Sequence, residues 1–164
     1  MKQKNLYLMC GVPGSGKSTW VKERMKIHRE QEESATCVSR DSIRFLMLKD
    51  GEDYFSREDE VFKTFIESIN AAINSEVEHI YIDATHLSER ARNQVLDLLH
   101  SIVNGYSIIP VNFIISLETC LNNNEKRISR AYVPRSVIKR MYTMFTPAKE
   151  GEKYSYKEII TIGE

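Results

Sequence analysis

Cysteine is scarce and shows no pairing pattern: Cys10, Cys37 and Cys120 are odd in number and far apart along 164 residues. That excludes a disulfide-stapled secreted framework and suits a reducing cytosol, so a cytoplasmic location is expected. Charge of neither sign is in excess. Lys plus Arg equals Asp plus Glu at 23 each, so the global field predicts no polyanion partner, and any nucleic-acid site has to be a local patch. No apolar stretch approaches the roughly 18 residues that span a bilayer, and the opening "MKQKNLYLMCGVPG" lacks the apolar run and cleavage site of a secretory signal. The histidines His28, His79, His86 and His100 show no ligand spacing, and no metal role is assigned to them. Internal repeats and low-complexity linkers are also missing. What remains, 41% hydrophobic and 28% charged residues, fits one globular domain over residues 1–164 with a sizeable core.

Short apolar runs alternate with helical periodicity. "NLYLMC", "ATCVS", "HIYIDAT", "YSIIPVNFIIS" and "EIITIG" read as strands, with Pro110 marking a start or a bulge in the fourth. Helices are expected over "STWVKERMKIH", "SIRFLML", "LETCLNNNEKR" and the segment opened by Pro134. A long amphipathic helix carries Val61, Phe62, Phe65, Ile66, Ile69 and Ile73 on one face, with Ser56 and Asp59 resembling a capping box before it. "SERARNQVLDLLHSIVNG" reads as one helix stopped by Gly105. This alternation predicts an α/β fold, a parallel sheet with helices on both faces.

"GVPGSGKS" fits G-x-x-x-x-G-K-[ST], follows a strand and opens a helix. Glycines let backbone N–H groups converge on phosphate oxygens, and the helix N-terminus adds partial positive charge. Gly11, Gly14, Ser15, Gly16, Lys17, Ser18 and Thr19 are therefore the expected nucleotide-binding residues. Lys17 would reach the β- and γ-phosphates of ATP, and the Ser18 hydroxyl would ligate Mg²⁺. Asp83 ends the third strand and either holds Mg²⁺ through water, orients the phosphate loop or caps the next helix; Thr85 and His86 lie next to it and could line the same cleft.

"VSRDSIR" places Arg40, Asp41 and Arg44 at the tip of the second strand. Ligands of open parallel sheets bind beyond the carboxyl ends of strands. Asp41 can there accept the proton of an acceptor hydroxyl, Arg44 can grip an acceptor phosphate, and Arg40 can hold Asp41 ionised or touch the acceptor. The plainer reading is that Asp41 caps a helix and pairs with its neighbours.

Together "GVPGSGKSTW", "SRDSIR", "IDATHLSERARNQVL" and "VPRSVIKRMYTMF" resemble the P-loop kinase domain of phage-type polynucleotide 5′-kinases and the wider group of small P-loop kinases, over nearly the whole chain. The resemblance implies a five-stranded sheet of order 2-3-1-4-5 and transfer of the ATP γ-phosphate to a polynucleotide 5′-hydroxyl. It implies Lys17 and Ser18 as the phosphate-loop pair, Asp41 as general base and Arg44 as acceptor-phosphate contact. A lid over about residues 118–136 would bring an arginine to the transition state, Arg127 first and Arg130 second. Asparagines stand where an earlier lid arginine is usual. From Leu121 to Lys149 the chain holds seven basic residues against one acidic, so this segment is locally cationic.

Two other functions fit the same motifs: a P-loop kinase of a small molecule or modified base, and a regulatory ATP-binding module. The chain shows no D-x-D-G-T phosphatase signature.

Overall fold

The computed structural model describes residues 2–100 and 104–163. Five strands form one sheet: β1 (Asn5–Cys10), β2 (Ala35–Ser39), β3 (His79–Asp83), β4 (Ser107–Ile114) and β5 (Ile160–Gly163), in the order β2-β3-β1-β4-β5. Every pairing is parallel, with Asn5 opposite both His79 and Ser107 in the centre. The expected order is met.

All six residues of β1 are buried, because helices cover both faces of the sheet and each side chain meets one of two cores. Leu6, Leu8 and Cys10 pack with Phe65, Ile69 and Ile73 of α3 (Glu58–Asn74) and with Val95 and Leu96 of α4 (Glu89–Leu96). Tyr7 and Met9 face the other way, toward Val21, Trp20 and Met25 of α1 (Lys17–Glu30). A third cluster joins Val12 to Cys120 and Leu121 of α5 (Leu117–Glu125) and Ile138 of α6 (Arg135–Met144). Thus α5 and α6 rest on the phosphate-binding loop.

Three local expectations are corrected. The helix after β3 stops at Leu96 instead of running to Gly105; of the expected span, residues 101–103 lie outside the described residues. Asn70 of α3 ends it, donating from Nδ2 to Leu98 O (3.0 Å) and accepting His100 N at Oδ1 (2.9 Å). A side-chain amide has taken the partners that the next turn would have used. The capping box at α3 does not form: Arg57 is its N-cap without a side-chain bond, and Ser56 Oγ donates back to Asp53 O. Glu58, Asp59 and Glu60 instead put negative charge in the first turn. Pro110 lies inside β4, and pairing with β5 begins only at Val111, so its missing N–H falls before that ladder.

Candidate active site

The loop between β1 and α1 is shaped by two left-handed glycines, Gly14 (φ 85°) and Gly16 (φ 93°), the latter being the N-cap of α1. Gly14 could not be another residue for a second reason. A Cβ there would stand 2.3 Å from the Cys120 carbonyl oxygen, backbone against backbone. Lys17 Nζ donates to the carbonyls of Gly11 and Val12, both at 2.9 Å. Burial holds the Lys17 ammonium below its usual pKa, opposed by the carboxylates of Asp83 and Asp41. An arriving polyphosphate would favour the charged ammonium and oppose that shift.

Ser18 Oγ donates to Asp83 Oδ2 at 3.0 Å. The N-cap of α4 is Ser88, so Asp83 is released from capping and faces the phosphate loop. Burial raises the Asp83 carboxyl pKa, with Lys17 and the Ser18 bond pulling the other way. Two hard oxygens held side by side at the phosphate loop suit Mg²⁺, which keeps several waters and needs few protein ligands.

Strand β3 separates Asp41 from the phosphate loop, placing it one strand away on α2 (Arg40–Met47). Ser39 caps this helix, its Oγ accepting from Ser42 N. Asp41 is therefore free for other work, with its side chain 54% exposed against 5% for Arg44. Arg44 Nη1 donates to Asp41 Oδ1, and also to the Tyr54 hydroxyl at 2.8 Å. Nε and Nη2 of Arg44 reach the Glu58 carboxylate, with contacts of 2.8 Å from Nη2 to each oxygen. Arg40 donates to the same Glu58. Arg44 thus has its N–H groups committed to three protein partners, and a phosphate could claim them only by displacing Glu58 or Asp41.

Of the expected site residues, Gly14, Gly16, Lys17, Ser18, Thr19, Arg40, Asp41, Arg44, Asp83, Thr85 and Arg127 line one cleft of about 730 Å³. Gly11 and Ser15 are buried and do not line it. Arg127 Nη1 donates to Ala131 O (3.4 Å) in the short turn Ser129–Ala131; the Arg130 side chain lies outside the described residues. The asparagines have structural occupations. Asn123 Nδ2 donates to Gly14 O at 2.9 Å, and buried Asn124 holds Val133 through its N (3.0 Å) and O (2.6 Å).

Sequence reasoning missed Tyr54 and Glu58, which come from the acidic segment read as a loop. Their one signal is spacing: an aromatic hydroxyl and a carboxylate follow two arginines, but only the fold turns them back onto Arg44. His86 also lines the cleft. Its backbone is left-handed (φ 42°), its Nδ1–H donates to Met9 O, and its Nε2 is buried without a hydrogen-bond partner. Burial brings its pKa down to about 4, with Arg40, Arg92 and Lys17 adding to the shift. A separate cluster lies at the N-terminal end of β3. There His28 Nδ1 and His79 Nε2 stand 2.6 and 3.1 Å from Glu33 Oε2, the rings stacked at 3.9 Å. These residues are brought together by the fold, and no spacing in the sequence announces them.

Among solved structures, the chain is similar to one in the Pnkp1/Rnl/Hen1 RNA repair complex (23% identity, TM-score 0.69), covering 94% of this chain and 51% of that one. It therefore spans about half the length of that relative. It is also similar to a fungal RNA kinase (15% identity, TM-score 0.59, covering 99% and 75%). A sugar kinase from Janibacter sp. matches as well (16% identity, TM-score 0.63, covering 98% and 85%). At these identities the likeness is one of fold. A family model described as an AAA domain matches residues 6–148, so the chain belongs to that family, with the sheet and phosphate loop of a P-loop kinase.

Proposed function

We propose that this protein is an ATP-dependent kinase that transfers the γ-phosphate to the 5′-hydroxyl of a polynucleotide. The observation that carries the reading is Asp41: uncapped, half exposed, and in the same cleft as Lys17, Ser18 and Asp83. A carboxylate so placed accepts the hydroxyl proton as the oxygen attacks phosphorus. Lys17 neutralises charge on the transferring group, and Ser18 with Asp83 would hold Mg²⁺, which would supply further positive charge to the phosphates. Arg127, from the cationic lid segment, supplies positive charge over the equatorial oxygens; Arg130 is the second candidate for that task. Arg44 orients Asp41, Arg40 is drawn to Glu58 instead of the Asp41 that the sequence offered it, and Arg44 meets an acceptor phosphate if Glu58 yields. Thr85, in the same cleft, is a candidate acceptor contact. The likeness to a chain of an RNA repair complex and to a fungal RNA kinase supports a nucleic-acid acceptor. The likeness to a sugar kinase keeps a small hydroxyl acceptor as the second reading.

The test offers ATP labelled at the γ-phosphate, with Mg²⁺, to 5′-hydroxyl RNA, 5′-hydroxyl DNA, nucleosides and small sugars. Label on a polynucleotide 5′ end is the expected result. Label on sugars or nucleosides alone replaces the reading with the small-molecule kinase, and hydrolysis without any acceptor points to a regulatory ATPase.

A further inference from the structure

The hydroxyl that donates to Asp41 Oδ1 is the protein's own. Tyr54 sits in the connection between α2 and α3, its O–H donating to Asp41 and its oxygen accepting from Arg44 Nη1. The Arg44 guanidinium lies 4.3 Å from the Tyr54 ring centre, and Phe55 packs edge-on against the ring at 4.6 Å. Tyr54 lines the cleft that also holds Lys17, Ser18 and Arg127. An acceptor alcohol needs this same arrangement: an O–H aimed at the base, a cation beside the oxygen, and access to the phosphate loop.

We propose that Tyr54 is an intramolecular acceptor, and that the protein phosphorylates its own Tyr54 hydroxyl. The inference rests on the kinase reading above, but not on the identity of the external acceptor. A bond forms between Tyr54 Oη and the γ-phosphorus of a bound nucleoside triphosphate. The bond from that phosphorus to the bridging β–γ oxygen breaks, the nucleoside diphosphate leaves, and the phenolic proton passes to Asp41 Oδ1. No other reactant is needed. Burial and the neighbouring Asp41 charge raise the Tyr54 pKa, so the phenol stays protonated until the base takes its proton in the transfer itself. The resulting phosphate dianion is drawn to Arg44 and repelled by Asp41 and Glu58, so it pulls the base from its cation and spoils the site for any other hydroxyl. The kinase thereby limits itself.

The test incubates the full chain with γ-labelled ATP and Mg²⁺ and no acceptor. Expected is covalent, alkali-stable label rising toward one phosphate per chain, placed on Tyr54 by mass spectrometry of the peptide. Its rate constant should not change across a tenfold range of protein concentration, and a saturating acceptor that competes for Asp41 should slow it. Tyr54→Phe, which keeps the ring against Arg44, should carry no label; its circular dichroism checks the fold. Label elsewhere, label persisting in Tyr54→Phe, or a rate that scales with concentration overturns the proposal. So does an unlabelled protein that phosphorylates an external acceptor, an outcome that leaves the kinase reading standing. Label on Tyr54 with no polynucleotide turnover supports the inference and removes the 5′-hydroxyl acceptor instead.

Discussion

Asp41 combines two properties that rarely coincide on a structural carboxylate: more than half its side chain is exposed, yet two donors, Arg44 and Tyr54, fix its orientation. Asp41→Asn keeps the shape and removes the basicity. It should lower kcat by roughly a hundredfold or more with ATP affinity nearly unchanged, as steady-state kinetics and nucleotide titration would show. His86 makes a prediction of a different kind. Unfolded, its imidazole takes a proton near 6.5; folded, burial delays this to about 4. The folded state is the weaker proton binder, so the His86 contribution is complete above pH 6.5 and is lost as pH falls from there toward 4. The loss is about 3 kcal/mol across that window. Chemical denaturation at several pH values should show a shallower acid limb for His86→Asn, a residue tolerant of left-handed backbone. The phosphate-loop residues were legible in the sequence because the motif is contiguous. Tyr54 was not, and of His86 only its place beside the cleft was, since an oriented phenol or an orphaned imidazole is a property of packing and leaves no mark in residue order.

Between elements, Glu58 is the pin. It starts α3 and receives both Arg40 and Arg44 of α2. Arg44→Ala takes one of two cations from Glu58 and one of two donors from Asp41, both partly solvated, and should cost roughly 1–2 kcal/mol of stability by urea unfolding. If stability holds and only the acceptor KM rises, Arg44 acts on substrate phosphate and Glu58 gives way to it. Asn70 is a second pin, joining α3 to the chain leaving α4. Asn70→Ala deprives Leu98 O and His100 N of their partner and should cost about 1–2 kcal/mol. An apolar period says where a helix could continue; it does not say that an amide elsewhere in the chain will accept its N–H groups first. For that reason α4 is shorter than its pattern, while the expected face of α3 is met, with Val61, Phe65, Ile66, Ile69 and Ile73 buried and Phe62 partly so.

For the whole molecule, strand-helix alternation made the parallel sheet legible, and its strand order came only from the resemblance to P-loop kinases. Closure of the fold was not legible, because it depends on one pair sixty residues apart. Arg92, 1% exposed, donates to Glu152 through Nε (3.1 Å) and Nη2 (2.6 Å), and through Nη1 to the carbonyls of His86 and Thr146. Asn112 secures the same stretch by bonding Ala148 N and O, both at 2.9 Å, after which β5 joins the edge of the sheet. This arrangement has a vectorial consequence. On the ribosome, α4 emerges well before Glu152, and a guanidinium cannot be buried alone at tolerable cost. Nascent chains stalled with residue 150 at the tunnel exit should stay open to protease, whereas chains stalled with the exit beyond residue 160 should become resistant. Arg92→Met with Glu152→Met should move protection to shorter chains, since two apolar side chains have no charge awaiting its partner. Translation, on this account, delivers the last segment as a key to a lock made two helices earlier.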